Sequence, residues 1–441
     1  MHTQLTKLWE EGRSSLWFLP SILVTASAVL AFVLVGLEGT VGEKALRLLP
    51  LVFGAGPDGS RGMLTAIAGS VLGLAGITFS STLVALSIAA RTYTPRILRN
   101  FLRDRGNQTV LGTILGTFVY CILVLRTIRA GESEFVPTLA VTAAILLALV
   151  DLGLFIYFVN HIAQSIQATT ITASIASDTK RAIDTVFPER LHGAEVENDA
   201  EPERVSSGQT VPTPRSGYIQ IVDHEQTLEF ALRHNLVLQM ERGVGDFVAE
   251  GAPLVTLIAR DRVEDDAVRD LQQLYGISKE RSVRQDVEFG FRQLVDIAIK
   301  ALSPGVNDVT TAVTCIDHLG DLLRYAGDRR MSAHHGRDET GRLRVIARTP
   351  TYSGLVGIAF DQIRVAGQSQ VAIMLRQIGV IEHLAIAIRP PDRRRALLDH
   401  LNLIGAAADR GLSDEADRQR VAQALDRVGA ELRDVGVVRT L

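Results

Sequence analysis

The sequence predicts an α-helical membrane protein: four transmembrane helices, then a cytoplasmic α+β region with a small β-barrel or barrel-sandwich-like module and a helical domain. Three observations carry this expectation. Long uncharged runs fill the first third of the chain, each with the roughly 20 apolar residues that a hydrocarbon core requires. The pattern then turns to short β-like runs between glycine turns, and after those to apolar residues at helical spacing. At 441 residues the chain is also too long for one compact core. The expected boundaries are a four-span domain over 1–160, a helical stalk over 161–187, a linker over 188–215, a β module over 216–260 and a mainly helical domain over 261–441.

Residues 14–37 form the first uncharged run, opened by Trp17. A cleavable signal peptide is the competing reading, but the run is too long and no small-residue cleavage site follows it. Residues 38–61 read as a polar loop. The second run, 62–90, places Gly69 and Gly73 at the spacing that lets two helices approach closely, and Thr78, Ser80, Ser81 and Thr82 follow. Next comes a basic loop with Arg91, Arg96, Arg99, Arg103 and Arg105, opposed by Asp104 alone. The third run, 107–125, carries a second small pair, Gly112 and Gly116. The fourth begins near Phe135, contains Asp151, and continues without proline or glycine after Gly153 to about Asp184. One unbroken helix of that length exceeds twice the hydrocarbon thickness at about 1.5 Å of rise per residue. Its second half is therefore expected to stand in the cytoplasm as a stalk, with Ile162, Ile166, Ile171 and Ile175 on one stripe. The arginine density of the second loop makes that loop cytoplasmic, and four spans then leave both termini inside.

In the soluble part, β-like runs at 218–222, 236–240 and 254–258 are separated by Gly243, Gly245, Asp246 and Gly251. The phrase GDFVAEGAPL resembles half of a biotinyl or lipoyl barrel-sandwich domain. Its turn offers no lysine, so no covalent cofactor is expected. Past Arg262 the chain reads as mostly helical. VEFGFRQLVDIAIKAL puts Val287, Phe291, Leu294, Val295, Ala298 and Leu302 on one stripe, stopped by Ser303-Pro304-Gly305. A new helix is expected from a cap at Asn307 or Asp308, and four more at 352–365, 369–378, 391–406 and 414–435.

Two stretches, TFSSTLVALSIAARTYTPRIL (78–98) and FGFRQLVDIAIKALSPGVNDVTTAVTCIDHL (289–319), together with the four spans, resemble the bacterial DUF2254 family of predicted membrane proteins. The likeness covers nearly the whole chain and implies the architecture above, in the bacterial inner membrane; the family's name records no defined activity. Val309 stands where the family pattern usually has proline, a residue suited to the first helical position.

Asp151 is the sharpest functional signal, because a carboxylate inside a span is costly and marks a cavity, a partner or a pathway. Counted from the outer ends, it lies about 24 Å down its helix, level with Thr78, Ser80, Ser81 and Thr82. These five residues form a candidate ion or proton site, with simple helix-to-helix bonding as the plainer alternative. His161, a turn into the cytoplasmic end, is a candidate pH sensor. The turn bearing Ser303, Asn307, Asp308 and Thr310 is either self-capped or a ligand site. Arg91, Arg96, Arg99, Arg103 and Arg105 are expected to meet anionic lipid headgroups rather than nucleic acid. Cys121 and Cys315 sit in unlike contexts and support neither a disulfide nor a zinc site. No nucleophile elbow, phosphate loop or paired acid–base set points to an enzyme. The expected function is a homo-oligomeric ion conduit controlled by its cytoplasmic domain; the alternative is a membrane-anchored sensor or scaffold that conducts nothing.

Overall fold

A computed structural model describes residues 17–38, 56–92, 104–130, 135–190, 207–331 and 336–433. The chain divides into two compact units, Met1–Thr170 and Ile171–Leu441.

The first unit contains α1 (Phe18–Glu38), α2 (Pro57–Thr92), α3 (Arg105–Leu125) and α4 (Thr138–Ser165). All four are long and apolar enough to cross a membrane. Helix α3 packs against the other three and is the most enclosed. Its glycines explain the closest contact. A Cβ on Gly112 would stand 2.8 Å from the Pro20 Cα, and one on Gly116 would collide with the Ser27 hydroxyl, so only glycine lets α1 lie this near. Polar caps pin the helix ends. The Glu38 carboxylate accepts from the Leu139 amide at 3.0 Å, and Asp104 accepts from the Gly106 amide at 2.7 Å. Phe32, Leu83, Leu149 and Ile156 point outward, as suits a lipid solvent. The loop expected over 38–61 ends earlier, because α2 starts at Pro57 with Asp58 in its first turn.

The unbroken helix expected from Phe135 to Asp184 is two helices. α4 ends at Ser165, and α5 runs from Ala168 to Val186. The Gln167 amide bonds to the Gln164 carbonyl in a tightened turn, and the Ser165 hydroxyl donates back to the His161 carbonyl. The four isoleucines therefore do not form one stripe. Ile171 and Ile175 are buried in the second unit, where α5 packs through Thr172, Ala176, Thr179, Ala182 and Ile183 rather than standing free as a stalk. Gly290 accommodates Thr179, the Lys180 ammonium lies 2.5 Å from Asp321, and the buried Arg329 pairs with Asp184.

After α5 the second unit continues with β1 (Gln209–Pro212), β2 (Gly217–Val222), α6 (His224–Arg233), β3 (Val237–Met240), β4 (Phe247–Val248), β5 (Pro253–Ile258), α7 (Asp265–Gln273) and β6 (Tyr275–Ser278). After these come α8 (Val287–Ala301), α9 (Val309–Gly327), β7 (Gly336–Arg337), β8 (Leu343–Ile346), α10 (Tyr352–Ala366), α11 (Val371–Ala387), α12 (Pro391–Gly411) and α13 (Glu415–Arg433). The expected barrel is not formed. The strands make two small open sheets, ordered β1-β5-β3-β8-β7 and β4-β2-β6. The reason lies in the GDFVAEGAPL phrase: β4 pairs with β2, while β5 pairs with β1 and β3, so the turn at Gly251 (φ +80°) carries the chain from one sheet to the other. One apolar core, including Ile219, Leu238, Val248, Val255 and Tyr275, binds the two sheets together. β1 lies inside the stretch expected to be linker, and α6, capped by Asp223, interrupts the β-like region. The six helices α8–α13 pack on one another as a helical layer.

Candidate intramembrane polar site

The apolar interior of the membrane unit falls into two clusters. The first joins Leu64 and Ala68 of α2, Tyr120, Cys121 and Val124 of α3, and Ala140 and Ala144 of α4. The second joins Val71 and Ala75 of α2, Val110 and Ile114 of α3, and Phe158 of α4. Asp151 lies between them along α4, and Thr117 lies between them along α3. Both are wholly buried. On α3 the Thr117 hydroxyl lies beside Asp151, and Cys121 follows a turn further along. The Thr117 hydroxyl donates to the Thr113 carbonyl at 3.1 Å, and neither carboxylate oxygen of Asp151 has a hydrogen-bond partner. A carboxylate so placed carries a desolvation cost that no ion pair among the described residues offsets.

The hydroxyl residues expected beside Asp151 are elsewhere. On α2 the boundary between the clusters falls between Ala68 and Val71, well before Thr78. Ser80 and Ser81 line a cavity of about 230 Å³ with Val84, Ile162 and Ile166. Ile162 is about 16 Å of helical rise beyond Asp151. Thr78 is buried with an unpartnered hydroxyl, and Thr82 donates to the Thr78 carbonyl at 2.8 Å. Counting residues from assumed outer ends failed because α2 begins at Pro57, five residues before its uncharged run.

His161 belongs to a second polar group near the far ends of α3 and α4. Its Nε2 donates to Asp104 Oδ2 at 2.7 Å, its ring stacks on Tyr157 at 5.3 Å between centroids, and the Tyr157 hydroxyl lies 3.5 Å from Nδ1. A Cβ on Gly106 would stand 2.9 Å from His161 Nε2, so glycine makes room for the pair. Asn107, on the same turn of α3, is buried with both amide atoms unpartnered. Thr117, Asp104, Tyr157 and Asn107 were not legible as site residues. A span's register against its neighbours is a tertiary fact, and a lone capping aspartate announces only a helix start.

In the turn over 303–310, Asp308 caps α9 by accepting from the Thr311 amide at 3.0 Å, and these bonds hold its carboxyl below the usual carboxylate range. The Ser303 hydroxyl donates to the Lys300 carbonyl, Asn307 adopts φ +49°, and its amide side chain meets Gln370. The Thr310 carbonyl accepts from the Thr314 hydroxyl. The turn is thus tied largely to itself. Val309 is the first residue of α9. Arg96, Arg99, Arg103 and the Arg91 side chain lie outside the described residues; Arg105 opens α3 and is exposed. Among the described residues no cluster of three or more His, Cys, Asp or Glu side chains is placed to hold a metal ion.

Comparison with known proteins places this architecture. An uncharacterised protein of Mycobacterium tuberculosis (strain CDC 1551 / Oshkosh) is 32% identical over 426 residues, covering 94% of this chain and 80% of that protein. An uncharacterised protein of Mycobacterium bovis is 31% identical over the same length and shares. No solved structure matches. The family model described as predicted membrane protein (DUF2254) matches residues 13–383, and the chain belongs to that family.

Proposed function

We propose that the protein crosses the bacterial inner membrane four times with both termini in the cytoplasm, and that copies assemble into an ion conduit controlled by the second unit. Asp151 carries the reading. Insertion scales put a carboxylate at a span centre at about 3 kcal/mol, a cost that a chain retains where the charge has a use. The arginines of the second loop support the orientation and suit contact with anionic lipid. Homo-oligomerisation is supported by α2. Gly112 and Gly116 are consumed in the contact with α1, whereas a Cβ on Gly69, Gly73 or Gly76 would meet nothing within 4 Å.

The second reading is a membrane-anchored sensor that conducts nothing, and the close packing around Asp151 favours it. Ion flux through liposomes holding wild type or Asp151→Asn at matched protein density separates the two. A conduit gives flux that the substitution changes sharply while stability shifts by only about 1 kcal/mol. Absence of flux in both proteins favours the sensor.

A further inference from the structure

We infer that the permeant ion is the proton, bound in mid-span by Asp151 and exchanged with the cytoplasm through the Asp104–His161 pair. The inference rests on the conduit reading above and names its ion.

The surroundings of Asp151 distinguish between cations. A sodium, potassium or divalent ion that sheds its hydration shell needs several oxygen ligands in return. Neither carboxylate oxygen of Asp151 has a hydrogen-bond partner among the described residues, the neighbouring Thr117 hydroxyl donates to a carbonyl instead, and apolar clusters occupy the turns on either side. That donor set cannot replace a hydration shell. A proton needs a single acceptor, and its arrival removes the charge that the span penalises.

The second polar group supplies the exchange point. Asp151, Phe158 and His161 lie on one face of α4, and Thr117, Ile114, Val110 and Gly106 lie on one face of α3. His161 and Asp104 retain side-chain exposures of 25% and 21%, so the pair reaches the surface of the unit, unlike Asp151. Asp104 and Tyr157 are the titratable groups that face His161 among the described residues. A neutral imidazole satisfies both: Nε2–H donates to Asp104, and Nδ1 accepts from the Tyr157 hydroxyl. Protonation at Nδ1 gives an imidazolium that Asp104 holds in place. The proton then leaves Nδ1 for a water molecule that has entered the seam, each water in turn passing on one proton as it gains another, until an O–H bond forms on an Asp151 carboxylate oxygen; the acid then gives its proton to water on the opposite side. About 15 Å of helical rise separates the two groups, filled by Phe158, Val110 and Ile114. Transfer requires water to enter this seam, which makes Phe158 the gate.

The test uses the full chain in liposomes loaded with a pH-sensitive dye, with a potassium diffusion potential driving protons inward. Wild type should acidify the lumen, Asp151→Asn should slow this by about tenfold or more, Asp151→Glu should retain it, and Phe158→Ala should accelerate it. Size-exclusion profiles establish that each variant is folded, and Asp151→Glu guards against a merely structural loss. Equal proton flux in wild type and Asp151→Asn overturns the inference. Flux of sodium or potassium without proton flux also overturns it while leaving the conduit standing. Silence for every ion removes the conduit and the proton together.

Discussion

Two buried titratable side chains in this protein are held in different ways. Asp151 has no hydrogen bond, whereas His400 of α12 is wedged beside the Phe360 ring with Nδ1 3.6 Å from Asp361. Burial depresses the His400 pKa to about 4, and the neighbouring Asp361 raises it only partly. Above the unfolded value of about 6.5, folded and unfolded chains are both neutral there and stability is complete. As pH falls from 6.5 toward 4, the unfolded chain takes a proton that the folded one refuses, and up to about 3 kcal/mol is lost. The urea midpoint of the second unit, followed by pulsed proteolysis of the full chain, should therefore drop between pH 7 and pH 5. The drop should be much smaller in His400→Gln, and an equal drop in both proteins would assign the acid sensitivity to other groups.

The glycine pairs of α2 and α3 share a spacing and differ in use. Enlarging Gly116 forces Ser27 and its helix away, so Gly116→Val should destabilise the membrane unit by about 1–3 kcal/mol, read as a lower melting midpoint in detergent. Gly73→Val has open space and should leave that midpoint unchanged while weakening any association of copies, visible in the detergent-corrected mass. In the second unit the matching contact is Gly290 against Thr179, where α5 meets α8. Gly290→Ala should cost about 1–3 kcal/mol and expose the 171–186 segment to protease. An unchanged cleavage pattern would mean that α5 is held by its ion pairs, Arg329–Asp184 above all. The sequence spacing alone does not rank these glycines, since identical small-residue pairs are consumed internally on one helix and left open on the other.

For the whole molecule, the orientation has a direct check. Single cysteines placed in the 39–55 and 93–103 segments, in a background lacking Cys121 and Cys315, should label from outside in the first segment and resist an impermeant reagent in the second. Reversed labelling would turn the protein over and put His161 at the outer face, which would also remove its proposed exchange with the cytoplasm.

Composition and period determined the four apolar helices, the cap at Asp308, the start of α10 at Tyr352 and that of α12 at Pro391, because each depends on residues adjacent along one helix. The intramembrane carboxylate was legible for the same reason: hydrophobic runs make a single charge conspicuous. Partners across helices were not legible. Thr117 rather than Ser80 faces Asp151 because the offset of α2 and α3 is decided by how Leu64, Ile114 and Phe158 pack. The break at Ile166–Gln167 and the switch of β5 into a different sheet from β4 likewise arise from where distant apolar surface is buried. Local periodicity carries no record of that burial.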